Sequence, residues 1–518
     1  MGLGPNVNEF IAHGRHCVID MSSFYESYKP FRNYIRRFDL TSSLTDLWVY
    51  FRHLNDNAPL PFGYAVGVAG LWPMSLRDVY SWDMDTLARE VLLNAEVGGD
   101  RSLKNWPDLA VALNHIRRLD GEAFFLSADP QTEVLIDLNR MAHRQFPWQQ
   151  GIGMNPMMRV LKVFGTPAME PIVLRELGMT TRQYLTLGAA IAGQSFRTPR
   201  FVTSTDYSVL KTPKDAVDLF FARITVTKEA LRDQLKALQS YDRDWLYTWN
   251  PLESTPLVAI DRAFPDRALC PIPRHLSRRV SFGIYYDLVK TSGFDKAFGE
   301  AFQTYVGDIL KVACPASRFQ IRAERPYRVG RDDKHGVDWV LSDKTAHLFI
   351  ECKTKRLTLG AKTRSNALAL EKDVSTLADA VVQNYRNIQD CLDGKAGWVA
   401  DERPSFSLIL LMEDWFIISP KVSEILNAKI ARLLAAAGLP SDMPQRIPCV
   451  IASANEFEIA CQVIAQTGIA PVMATMPTDN TWIWSLLGSV QTNFGTEMAR
   501  VNWRLFETEW REMLSPQP

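Results

Sequence analysis

Through about residue 250 the apolar positions of this chain recur at helical intervals. "DAVDLFFARI" and "KEALRDQLKALQS" keep theirs three and four residues apart, and Thr212-Pro213 offers a cap and a first-turn proline. "IVLRELGMTTRQYLTL" reads as two helices broken at Gly178, the second opened by a capping box between Thr180 and Gln183. Between about 250 and 275 the texture changes: "NPLESTPLVAIDRAFPDRALCPIPRHL" is rich in proline and holds two short strand-like runs, either a linker or a hairpin docking two halves.

Beyond it the pattern predicts a helix over about 295–313, two strands, a helix over about 368–393, a strand from Phe406 to Met412, a helix over about 421–437, a strand from Pro448 to Ala452 and a further helix. Two adjacent strands followed by strand–helix alternation predict an α/β domain with a central mixed sheet flanked by helices. The fold class expected is therefore such a domain behind a large, mainly α-helical N-terminal region. The boundaries read as 1–275, 276–470, and a helical C-terminal cover over 471–518 that carries Trp482, Trp484, Trp503 and Trp510.

Composition adds little until it is read locally. With 518 residues, 47% apolar and 22% charged, the chain is of ordinary globular make-up and long enough for several domains. Its net charge is zero, yet from Arg318 to Arg364 there are twelve Lys or Arg against six Asp or Glu. The seven cysteines, at 17, 270, 314, 352, 391, 449 and 461, form no CxxC pair, which argues against a disulfide framework or a zinc site and for a reducing compartment. No signal peptide or membrane-length apolar run is evident, so a cytoplasmic protein without a membrane partner is expected. Leu177-Gly178-Met179-Thr180 resembles the turn of a DNA-binding helix-turn-helix. Leu174, however, stands where the first helix usually has a small residue, so a plain helical hairpin is expected.

The chemistry concentrates in "HGVDWVLSDKTAHLFIECKTK", residues 335–355. Taken as a hairpin with strands Val337–Leu341 and His347–Lys353, alternation puts Glu351 and Lys353 on one face and the Cys352 side chain on the other, toward a core. Cross-strand pairing brings Asp338 near Glu351. Two adjacent carboxylates need a cation or a proton between them, and hard oxygen ligands suit Mg²⁺ or Mn²⁺. Asp332 and Asp333 are alternatives to Asp338, although they precede the strand. His335 and His347 have no partners at metal spacing and read as surface or packing residues. No GxSxG or Walker-type loop is present.

Asp338, twelve intervening residues, then Glu351-Cys352-Lys353 resembles the PD-(D/E)XK nuclease superfamily, with Val337 in place of its proline. The resemblance covers roughly 295–455 and implies a restriction-endonuclease-like fold and a metal-dependent nuclease, with DNA favoured over RNA and 5′-phosphate and 3′-hydroxyl products. Carried over, Asp338 and Glu351 would hold Mg²⁺ or Mn²⁺ with the backbone carbonyl of Cys352 as a third ligand, and Lys353 would orient or activate the attacking water. The family's acid on the preceding helix falls at Gln303 here; Glu300, one turn earlier, is either an auxiliary acid or a solvated one. Gln383 on the following helix faces substrate or water, whereas Tyr385 falls on an apolar stripe and reads as core. Lys355, Arg356, Lys362 and Arg364 read as phosphate contacts.

By analogy with the family, restriction or anti-phage defence is the setting, with the N-terminal region sensing a trigger or binding a protein partner, an activator or nucleic acid. A homodimer is one arrangement left open. The alternative is a catalytically silent nuclease fold that binds nucleic acid or a protein.

Overall fold

The computed structural model describes residues 21–514 except 65–66, 68–71, 74, 125–129, 151–153, 364–366, 399, 478–481 and 483–484. Trp484 and Arg364 lie outside the described residues. The N-terminal region is largely helical, as its spacing predicts, and its ends are closed by ordinary caps. Asp39 accepts the Ser42 N–H before the Leu40–Asp56 helix. Glu170–Leu177 stops at Gly178, which takes the left-handed conformation glycine tolerates, and Thr180 and Gln183 cap Thr181–Ser195 reciprocally. Leu174 is half-exposed, in keeping with a plain helical hairpin. One cap differs from expectation: Pro213 is itself the residue before Lys214–Ile224, and the Thr212 hydroxyl turns back to the Leu210 carbonyl (3.4 Å).

Within this region lies a small four-stranded sheet of β1 (Arg200–Val202), β2 (Thr225–Thr227), β3 (Leu257–Ala259) and β4 (Arg267–Leu269), in the order β1-β4-β3-β2. The proline-rich segment thus supplies a hairpin, β3–β4, and not a free linker.

The main sheet is mixed. It contains β5 (Gln320–Ala323), then, beyond a separate ribbon of β6 (Tyr327–Val329) and β7 (Asp332–Lys334), β8 (Trp339–Ser342), β9 (His347–Lys353), β10 (Ser405–Leu411) and β11 (Cys449–Ser453), in the order β11-β10-β9-β8-β5. β5, β8 and β9 are antiparallel neighbours, whereas β9, β10 and β11 run parallel. Alternation sends Leu348, Ile350, Leu408 and Leu410 into one core, under the Phe294–Ala313 and Ala454–Thr467 helices. Phe349, Ile409 and Leu411 enter another, under Ala367–Leu392 and Pro420–Ala436.

The first of these cores also takes in residues from Met158 to Ile224, so side chains on both sides of position 275 pack together, Phe164 against Phe298 at 5.4 Å among them. A separate core joins residues 24–123 to 231–272. The N-terminal Arg159 is tied to the sheet side by a buried network: its Nε donates to Glu458 Oε1 (2.8 Å), which also accepts from Tyr305 (2.6 Å). Leu486–Asn493 and Glu507–Leu514 pack back onto the Ala454–Thr467 and Met154–Phe164 helices, with Trp510 buried and Trp503 half-exposed. Among the described residues no helix is long and apolar enough to cross a membrane.

The start of β8 is fixed by close approach. Trp339 donates its indole N–H to the Gln303 carbonyl (2.9 Å), and its ring lies where a Cβ on Gly307 would fall, 2.2 Å away. A Gly307→Ala substitution should therefore destabilise the fold by about 1–3 kcal/mol through overpacking. Helix propensity alone would favour alanine by roughly 1 kcal/mol. Urea denaturation settles the sign.

Candidate active site

Register places the acids. Ala323 pairs with Trp339 and Trp339 with Ile350, so one step further along the ladder Glu324, Asp338 and Glu351 stand in a row across three strands. The Glu324 N–H donates to the Asp338 carbonyl (2.8 Å), which continues the pairing beyond β5. Asp338 shares its face with Val340, and Glu351 with Phe349, on the side covered by the Ala367–Leu392 helix.

Each carboxylate is held. Asp338 Oδ2 accepts the Cys352 N–H (2.6 Å). A strand residue projects its N–H and C=O to the same side, so the Cys352 carbonyl faces that edge too, while its side chain packs on the opposite core. Glu351 is 3% exposed; its Oε1 accepts from Lys353 Nζ (2.7 Å), and its Oε2 is buried without a hydrogen-bond partner among the described residues. Lys353 Nζ also donates to Gln383 Oε1 (3.1 Å) on the covering helix. Burial pushes the Asp338 carboxyl up to about 6, with Glu324 adding to it and the Cys352 N–H and Lys353 opposing. Burial and then the Asp338 charge push Glu351 up to about 7, against the pull of Lys353.

The other expected residues divide. Gln303 joins the cluster by donating its amide to Glu324 Oε2 (3.2 Å). Glu300 does not: its side chain is 56% exposed and nearest in charge to Lys296 (3.9 Å). Lys355 lies 3.7 Å from the buried Asp373. Arg356 departs most from a surface phosphate contact; it is buried, 3.0 Å from Glu413 and 3.6 Å over the Tyr285 ring. Lys362 lines the same cavity as Arg356. Asp332 and Asp333 are both exposed on the β6–β7 ribbon, Asp333 paired with Arg328 (2.8 Å), which leaves Asp338 as the acid beside Glu351. His347 is a packed histidine, bonded to Ser342 and Asp401; His335 approaches Glu324 (3.1 Å). Tyr385 is core, its hydroxyl donating to the Ile447 carbonyl.

Glu324 is the residue that sequence reasoning missed. The only signal for it is register, since it is the cross-strand partner of Asp338.

Among the described residues no group of three or more His, Cys, Asp or Glu side chains is disposed to hold a metal by itself. The donors present suit a hard cation that completes its shell with water and phosphate: a backbone carbonyl and two carboxylates, one of them with a buried oxygen that has no partner among the described residues. Comparison of the chain with protein-family models, with curated proteins and with solved structures finds no match.

Because both acids titrate higher when folded than their ordinary values of 3.8 and 4.5, the native state binds more protons than the unfolded chain between about pH 4 and 7. Stability contributed by the protonated pair is complete below about pH 4 and is lost as pH rises through 7. In EDTA, melting curves should show a fall on the order of 3 kcal/mol from pH 5 to 8. Asp338→Asn keeps an acceptor for the Cys352 N–H and removes one charge, so it should flatten that fall by about half or more. An equal slope in wild type and variant would show that the pair is not its source.

Proposed function

We propose that the chain is a metal-dependent nuclease of the PD-(D/E)XK type, built on a restriction-endonuclease-like core. The observation that carries this reading is the meeting of Asp338, Glu351 and Lys353 on one face of the sheet, with the Glu351 Oε2 buried and lacking a partner. A buried Glu351 beside Asp338, with the single charge of Lys353 to offset two acids, is costly, and a fold with no use for it would keep apolar side chains there. The order of elements supports the reading as well: helix, antiparallel β5–β8–β9, long helix, then β10 and β11 parallel to β9.

Asp338 and Glu351 would hold the cation, Mg²⁺ or Mn²⁺, with the Cys352 carbonyl beside them and Glu324 at the edge. When bound, it supplies neutralisation of phosphate charge and acidification of water. Lys353 has three donors; Glu351 and Gln383 take two, and the third is left to orient the attacking water or a phosphate oxygen. Glu351 thus fixes the lysine as well as the cation. Gln303, through Glu324, holds the row from the side of the preceding helix.

Supercoiled plasmid, single-stranded DNA and structured RNA, each with Mg²⁺, Mn²⁺ or EDTA, test the proposal. Cleavage should require the metal and fall by at least about a hundredfold in Asp338→Asn, Glu351→Gln and Lys353→Ala, whereas Glu300→Gln should stay within about threefold of wild type. Glu324→Gln should lower activity less than the three. Metal-dependent cleavage that survives in Lys353→Ala would remove the lysine from the mechanism. If calorimetry shows no metal bound and nothing is cut, the proposal fails.

A further inference from the structure

Beyond the carboxyl ends of the parallel strands lies a cavity of about 1280 Å³, walled by Thr354–Leu359 after β9, Met412–Asp414 after β10, Ser453 and Asn455 at the end of β11, and helices of the N-terminal region opposite. None of Asp338, Glu351 and Lys353 lines it. The edge of an open α/β sheet at its strand carboxyl ends is where such folds bind ligands.

The walls are cationic and aromatic. Ten lining residues are Arg or Lys and six are Asp or Glu. Most of the cations are paired, Arg223 and Arg279 with Asp287 and Arg159 with Glu458. Arg278 and Lys362 are not, having no carboxylate within ion-pair distance among the described residues; Arg278 donates only to the Pro147 carbonyl (3.3 Å). Arg356 is 7% exposed, and its Nε has no hydrogen-bond partner among the described residues although its guanidinium stacks on Tyr285. Burial pushes the Glu413 carboxyl up, yet Arg356, Lys362, Arg278 and Arg159 around it hold it below its ordinary value. Arg159 and Arg356 have carboxylates of their own in Glu458 and Glu413, which leaves the charges of Arg278 and Lys362 for an anion. Beside them Tyr286 is 63% exposed, and Trp148 and Trp249 also line the space.

We infer that this cavity is a nucleotide-binding site, with phosphate taken by Arg278, Lys362 and Arg356 and an aromatic base against Tyr286. Guanidinium and ammonium groups suit phosphate, and tyrosine and tryptophan faces suit a base. The volume exceeds the roughly 300–1,000 Å³ of ordinary small-ligand sites, which leaves room for more than one nucleotide unit. The occupant is a free nucleotide or a nucleotide segment of a single strand. None of the residues assigned to it belongs to the carboxylate row, so the assignment stands whether or not the chain cuts phosphodiesters.

Calorimetric titration of the full chain in EDTA, with ATP, the dinucleotide pApA, oligo-dT and inorganic phosphate, tests it. Micromolar binding of at least one nucleotide probe is expected, with phosphate alone much weaker. Arg278→Gln and Lys362→Gln should each weaken that binding by about tenfold or more, and Asp338→Asn should leave it unchanged. Binding of ATP or pApA identifies a free nucleotide; binding of oligo-dT without them identifies a strand. Both Arg278 and Lys362 lack carboxylate partners among the described residues, so either variant suffices if the other does not fold. No binding of any nucleotide probe at millimolar concentration, phosphate bound as tightly as nucleotides, or affinity unmoved in both variants would overturn the assignment.

Discussion

The pleat of β9 is the constraint on which the site depends. Leu348 and Ile350 must enter the core beneath Phe294–Ala313, so Phe349, Glu351 and Lys353 must face the Ala367–Leu392 helix. A slip of one residue would bury Glu351 and Lys353 among the apolar side chains of the first core and turn Ile350 toward the acids. The burial of the strand therefore fixes the orientation of its polar end. Register against β8 then sets Asp338 opposite Glu351, and register against β5 sets Glu324 opposite Asp338. Three carboxylates come into line because three strands are paired to bury something else.

The cost of that alignment is met from both sides of the sheet. From the front, Lys353 and Gln383 reach the Glu351 end of the row. From behind, the Phe294–Ala313 helix uses one residue twice: the Gln303 carbonyl takes the Trp339 indole and its amide reaches Glu324. Gly307 leaves the room that lets the Trp339 ring lie against the helix. Residues of the Phe294–Ala313 helix thus hold the start of β8, and Asp338 is its neighbour in the chain. The acids remain displaced toward their protonated forms, so the polypeptide alone does not balance their charge.

Legibility in the sequence followed the strength of each local pattern. Asp338, Glu351 and Lys353 could be found because β9 is a seven-residue strand whose apolar run and two-residue period are plain, and because a short hairpin fixes its partner. Glu324 could not, since β5 has only four residues, partly or fully exposed, and its importance comes from pairing alone. The four strands of the small sheet are three residues each, shorter than any periodicity can mark. The burial of Arg356 was hidden for a different reason. A run of basic residues shows charge but not direction, and the chain turns after β9 so that Lys355 is exposed while Arg356 is buried beside Glu413 and Tyr285. The helices and the mixed sheet needed no such information, because amphipathic spacing over many residues reports the buried face directly.

The same turn joins the two chemical regions of the molecule. Thr358, on the cavity wall, donates its N–H to Asp373 (2.8 Å), and Lys355 faces that carboxylate. Asp373 sits on the Ala367–Leu392 helix, which three turns later presents Gln383 to Lys353. One helix of 26 residues therefore touches the cavity wall near its start and the candidate catalytic lysine near its middle. Its apolar face, with Val374, Leu377, Val381 and Ile388 fully buried, is packed along the sheet between those two contacts. A helix held that way moves as a unit, since shifting one end means breaking close packing along the whole face. The position of Gln383 against Lys353 and the shape of the cavity wall at Thr358 are consequently set together.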